Sequence, residues 1–289
     1  MPESSWLLLL SLTVAAIAAF AWPHYRLRKA VDAPFPAAWR EIVARNLPVY
    51  QRMPASLQRQ LEQRIQQFLH QKYFTGCNGL EITDEIRVTI AADACLLILN
   101  RNTGVYPDLR YILVYPDGFR VTAESSDAAG LVSTRWRGLS GESWSNGKVI
   151  LSWADVMRGN HDFTDGANVA LHEFAHQLDY EDATNGAPLL GSAARYQRWA
   201  EVLGGEFAAL QQAAFQGEAT LLNTYGATNP AEFFAVATEH FFEQPQQLAE
   251  QHPALFAELQ RYYRINPAEW RPEAEPLPDW KPGRDMGRT

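Results

Sequence analysis

His172-Glu173-Phe174-Ala175-His176 is the stretch that decides how this chain is read. In a helix, residues i and i+4 lie one turn apart on one face, so both imidazoles reach a single point. Glu173 sits about 100° further round, where it can act on a water at that point without ligating a metal there. The flanks favour a helix. Val169, Ala170, Leu171, Phe174, Ala175 and Leu178 form an apolar stripe at helical spacing, and residues 167–180 contain no proline or glycine. Asn168 or Asp165 caps the start. Asp179, three residues after His176, is placed to accept a spare ring N–H from a liganding histidine.

Two histidines and a glutamate in this order are the minimal parts of a zinc hydrolase. Such enzymes use three protein ligands and leave the fourth position to water. The third ligand must come from elsewhere, and the best region is residues 229–242, Asn-Pro-Ala-Glu-Phe-Phe-Ala-Val-Ala-Thr-Glu-His-Phe-Phe. Asn229 caps a helix there and Pro230 suits its first turn. Glu232 and Glu239 lie two turns apart on one face of an otherwise apolar helix. Carboxylates on an inner face are costly unless a cation meets them, although both are also readable as surface charges. His240 is one position off that face, and His161 and His252 read as surface histidines.

The chain resembles the Mlc titration factor A family of zinc metallopeptidases. The resemblance is carried by Asn168-Val169-Ala170-Leu171, the pentapeptide and Gln177-Leu178-Asp179. It continues in residues 225–236 (Tyr-Gly-Ala-Thr-Asn-Pro-Ala-Glu-Phe-Phe-Ala-Val), 90–97 (Ile-Ala-Ala-Asp-Ala-Cys-Leu-Leu) and 149–153 (Val-Ile-Leu-Ser-Trp), and covers residues 35–265. It implies one zinc per chain, with His172, His176 and Glu232 as ligands, Glu173 as catalytic base and Tyr225 as a group that stabilises the oxyanion. The implied fold is α+β: a mainly helical, zincin-like domain with a small β-sheet, similar to the catalytic domain of anthrax lethal factor. Some family members are aminopeptidases, and the best-known ones bind a glucose repressor. A peptidase acting on peptide or protein substrates is therefore expected. The alternative is a regulatory protein that sequesters a transcriptional repressor through a zinc-held domain. In the peptidase, Glu173 takes the proton of the attacking water and returns it to the leaving amine.

The front of the chain departs from that family. Residues 6–22 form an apolar run without charge, bracketed by Trp6 and Trp22 and followed by Arg26, Arg28 and Lys29. The run is near the lower length limit for a span. Aromatic flanks and basic residues behind it predict one N-terminal transmembrane helix, with the catalytic domain in the cytoplasm at the inner membrane. Ala19-Phe20-Ala21 resembles a signal cleavage site, but a signal peptide carries its positive charge ahead of the run. An intramembrane protease is excluded, because His172 lies far beyond the apolar run.

Composition agrees. A net charge of −8 argues against nucleic acid as a partner. Cys77 and Cys95 form no C-x-x-C pair and read as free thiols. The expected organisation is an anchor and basic flank over residues 1–29, a metallopeptidase domain over 30–268 and a disordered tail over 269–289. Helices are expected at 54–74, from Asp84 to about 99, and at 167–180, 193–215, 230–242 and 246–264. Strands are expected at 111–115, 119–123 and 148–153, with a turn-rich connection at 138–147.

Overall fold

The computed structural model describes residues 3–101, 103–117, 147–180 and 185–270. The expected strand at 119–123, most of the turn-rich connection at 138–147, and the tail beyond residue 270 lie outside these residues.

A helix buried on all faces forms the centre. This is α4, Asp84–Leu96, in which every residue from Val88 to Leu96 is buried. Within it Arg87-Val88-Thr89-Ile90 alternates polar and apolar, and so looks locally like a strand. Thr83 settles the matter, because its Oγ1 accepts from Ile86 N at 3.3 Å and caps a helix. Around α4 pack α2 (Ala37–Asn46), α3 (Ala55–Gln71) and α6 (Val169–Tyr180). The expected helix over 54–74 ends at Gln71. Tyr73–Gly76 turns instead into a strand, β1, because Phe74 is needed on the sheet, where its ring lies 6.2 Å from that of Phe68.

The sheet is parallel, in the order β1, β2 (Tyr111–Tyr115), β3 (Lys148–Ser152). Ile112, Val114, Val149 and Leu151 alternate inward and are buried. At the end of β3 the expected strand stops one residue early. The Ser152 hydroxyl accepts from Asp155 N at 3.2 Å and starts α5, Trp153–His161, a helix that periodicity did not announce. The C-terminal half is α7 (Ala193–Gln216), α8 (Pro230–Glu243), α9 (Pro245–Gln251) and α10 (Pro253–Tyr263). The single helix expected at 246–264 is two helices, since Pro253 has no N–H to continue the first.

The apolar run at the front is helical, within α1, Glu3–Val31. Among the described residues, however, no helix is long and apolar enough to cross a membrane, so the expected span is not supported. Physically, the charge-free run is short of the roughly 20 residues a span needs. The rest of α1 continues through Pro23 and His24 into Arg26, Arg28 and Lys29. The mainly helical α+β class with a small sheet is as expected.

Candidate metal centre

Two helices build the centre. The first is α6. Asn168 caps it: its Oδ1 accepts from Leu171 N at 3.0 Å and its carbonyl accepts from His172 N at 2.9 Å. Asp165, the other expected cap, accepts from Ala167 N at 2.9 Å, one step ahead of the helix. Phe174 faces inward and is fully buried, with its ring 5.8 Å from Phe68 and 5.3 Å from Tyr106. Burial of one such ring contributes about 2–3 kcal/mol, which fixes the rotation of α6 and turns His172 and His176 the other way. The second helix is α8. The Asn229 side chain accepts from Glu232 N at 2.9 Å, and Pro230 occupies the first turn. Phe233 and Phe234 are buried against Phe207 and Trp199, with rings 5.8 and 5.6 Å apart.

The two helices bring His172, His176 and Glu232 together. His172 Nε2 lies 3.0 Å from Glu232 Oε2 and 3.2 Å from His176 Nε2. His176 Nε2 lies 3.3 Å from Glu232 Oε2. Tetrahedral zinc with bonds of 2.0–2.1 Å separates its ligand atoms by about 3.3 Å. Three acceptor atoms this close repel one another unless a proton or cation lies among them. The donor set and its spacing therefore fit a zinc ion. The side chains are only 14–18% exposed, so water screens them poorly.

The charges follow from this packing. Burial disfavours a charge on His172, but Glu239 and Glu232 outweigh it and hold its pKa well above the ordinary value. Burial would raise the Glu232 carboxyl, yet the hydrogen bonds of His172 and His176 hold it well below the usual carboxylate range. Glu173 is pushed up to about 8 by burial, opposed by His172 and assisted by Glu232 and Glu239. Tyr225, in a short 3-10 turn (Thr224–Ala227), places its ring 6.0 Å from that of His172 and is 45% exposed.

Glu239 is not a member of the triangle. Its Oε2 lies 3.1 Å from His172 Nδ1, and its Oε1 accepts from Asn168 N at 2.9 Å. A carboxylate only accepts, so Nδ1 carries a proton, and a cation that takes the place of the Nε2 proton would meet the lone pair of Nε2. One turn on, Glu243 Oε2 accepts from Gly166 N and Ala167 N at 2.9 and 3.1 Å. The two glutamates of α8 thus hold the lead-in to α6. Glu243 was missed in the sequence, where the signal was a second acidic residue on a helix of apolar neighbours. Asp179 is buried and accepts from Gly186 N at 3.0 Å, close enough to His176 to feel its charge. His240 is buried, with its ring nitrogens 2.9 and 2.8 Å from the carbonyls of Val236 and Leu221. His161 is exposed, and His252 pairs with Glu206 at 2.8 Å.

A mainly helical fold whose two helices supply two histidines, a neighbouring glutamate and a distant glutamate to one point has the make-up of a metallopeptidase. Residues 22–264 match the glucose-regulated metallo-peptidase M90 family, and the chain belongs to that family. An uncharacterized protein of Synechocystis sp. is 42% identical over 248 residues, which are 85% of this chain and 90% of that protein. Mlc titration factor A of Klebsiella pneumoniae subsp. pneumoniae is 33% identical over 258 residues, 88% of this chain and 95% of that protein. Its namesake in Enterobacter sp. is 32% identical over 252 residues, 86% of this chain and 92% of that protein.

Proposed function

We propose that this metallopeptidase is zinc-dependent and hydrolyses peptide bonds with Glu173 as general base. The observation that carries the proposal is the triangle of His172 Nε2, His176 Nε2 and Glu232 Oε2, no side longer than 3.3 Å, with Glu173 on the same helix. Zinc, when bound, supplies the polarisation that makes water a nucleophile near neutral pH. The chain's own residues do the rest. His172, His176 and Glu232 hold the ion. Glu173 takes a proton from the attacking water and gives it to the amine nitrogen as the peptide C–N bond breaks. To take that proton Glu173 must start as the carboxylate: burial alone pushes its carboxyl up to about 8, and the dication held beside it would bring it down again. The Tyr225 hydroxyl donates to the carbonyl oxygen as negative charge gathers there. The family's aminopeptidases favour short peptides with a free N-terminus as the substrate class.

A second reading is favoured by the name of the relatives, Mlc titration factor A. In it, the zinc-held domain sequesters a transcriptional repressor. One experiment tests both: zinc content and hydrolysis of aminoacyl and internally quenched peptides by the full chain and by Glu173→Gln. One zinc in each, with turnover in the parent alone, is the expected result. Zinc in both with turnover in neither favours sequestration. No zinc in either sinks the proposal.

Location is part of the same proposal. We place the catalytic domain in the cytoplasm. This is supported by Cys77 and Cys95, which are free thiols and suit a reducing compartment. A reporter fused to the C-terminus that is active only in the periplasm would refute it.

A further inference from the structure

Asp93 lies in the middle of α4 and is wholly buried. Its neighbours in sequence are apolar, and nothing in the chemistry above uses it. Its Oδ2 accepts from Asn160 Nδ2 at 2.9 Å, across to α5. Asn160 is also buried, and its Oδ1 accepts from Asn168 Nδ2 at 3.1 Å. Asn168 is the cap of α6. The contact is close because residue 159 is glycine: a Cβ there would stand 3.0 Å from Asn168 Cα and Cγ.

The direction of these bonds carries the argument. An asparagine amide can turn over and exchange its donor for its acceptor at little cost, unless a partner reads one end. Asp93 Oδ2 accepts, so it holds the NH2 of Asn160 and leaves the oxygen of Asn160 for Asn168. That in turn spends the NH2 of Asn168 and leaves its oxygen to cap Leu171. The Asn168 backbone N–H then donates to Glu239, whose other oxygen takes the His172 Nδ1 proton. Each bond in the series fixes the polarity of the next. A buried network satisfied in only one sense specifies one geometry.

We infer that Asp93 is a positioning residue for the metal centre, acting from α4 through Asn160 and Asn168 on the first turn of the helix that carries His172 and His176. The inference rests on the proposed zinc site. Asp93 touches neither ion nor substrate, so its effect is felt as geometry. With an apolar side chain at 93, the Asn160 NH2 is left buried without its acceptor, and the movement that relieves it carries Asn168 and the start of α6 with it.

The test is the full chain as Asp93→Leu, which keeps the branching at Cγ, adds some volume and removes the acceptor, and Asp93→Asn, which keeps the size and an acceptor oxygen. Zinc affinity is read by chelator competition, geometry by the visible spectrum of the cobalt-loaded protein, and kcat and KM separately. Asp93→Leu is expected to bind zinc about tenfold more weakly, the lower end of what outer-shell changes cost. Its cobalt spectrum should shift and its kcat fall with KM held. Asp93→Asn should restore all of these. Cys95→Ala, a cavity on the same buried helix outside the series, should lower stability and leave zinc affinity unchanged. A folded Asp93→Leu with parental affinity and spectrum overturns the inference. So does a folded Asp93→Asn whose zinc affinity and cobalt spectrum depart from the parent's, and this second test holds even where the leucine variant fails to fold. A parent that binds no zinc fails earlier, at the metal site itself, and takes the inference with it.

Discussion

Replacing Glu239 with glutamine tests whether the histidine tautomer is set from α8. The carboxylate meets two N–H groups, Asn168 N at 2.9 Å and His172 Nδ1 at 3.1 Å. Both oxygens are acceptors and both partners donate. Glutamine offers one oxygen and one NH2, so it can satisfy only one of them. If its NH2 faces His172, the imidazole must put its lone pair on Nδ1 and its proton on Nε2, the atom aimed at the centre. If it faces Asn168, a buried backbone N–H loses its acceptor. Either way the cost is that of an unsatisfied buried group, about 1–3 kcal/mol. In binding terms a loss near the middle of that range is roughly 30-fold, within the 10- to 100-fold typical of groups that orient metal ligands. Chelator competition near neutral pH measures it directly. The purified protein should still take up one zinc at saturation, since His172, His176 and Glu232 are intact. Unchanged affinity with an intact fold would mean that Glu239 does not set the tautomer.

Two further outcomes are expected. At Gly186 (φ +76°) a Cβ would lie 2.2 Å from the Pro230 carbonyl oxygen, two residues before Glu232. Gly186→Ala combines a backbone clash with left-handed strain, so it should cost about 2–4 kcal/mol and lower the midpoint of thermal unfolding by roughly 5–15 °C; an unchanged midpoint would contradict the packing described. The second concerns Asp93, which burial pushes up from 3.8 to about 8. The folded state then keeps a proton that the unfolded chain releases, so stability present at low pH is lost as pH rises from about 4 to 8. Relative to Asp93→Asn, which cannot ionise, the parent should lose up to about 1.4 kcal/mol per pH unit in that window. Parallel urea-unfolding curves at pH 5 and 7 decide it, and an equal gap between parent and variant at both pH values would refute the shift.

The parts of the site that were legible in sequence are those whose spacing is local. His172 and His176 share a helix, so one turn of α6 fixes their relation, and Asn229-Pro230 announces α8 and with it Glu232. Glu239 was visible as an acid on the same face as Glu232, readable as an inner carboxylate or as a surface charge, but its role was not. The choice between ligand and orienting group depends on the angle between α6 and α8, a tertiary quantity. Asp93, Asn160 and Glu243 were opaque for the same reason. Their partners lie on other elements, and only the fold joins them. The short elements failed differently. Tyr73–Gly76 and Trp153–His161 are too brief for a period to emerge, and each follows directly from a neighbouring element. Pro253 was in plain view, and its missing N–H should have divided the last helix.

Glu239 and Glu243 also explain how acids can be buried beside a centre that itself needs Glu232. Burial pushes Glu243 up to about 9 although the Gly166 N–H opposes the shift, so at neutral pH it is buried as a protonated acid that still offers an acceptor oxygen. Backbone meets both side chains. Gly166, Ala167 and Asn168 present three successive N–H groups to the two side chains. Such groups ahead of a helix have no carbonyl of their own to meet, so α6 begins with an unmet need for acceptors that α8 supplies. Gly166, at φ +79°, makes the turn possible, for a Cβ there would lie 2.6 Å from His240 Nε2. The lead-in to one ligand helix is thus the binding site of the other. The spacing of His172 and His176 from Glu232 therefore rests on this backbone-to-carboxylate seam between α6 and α8.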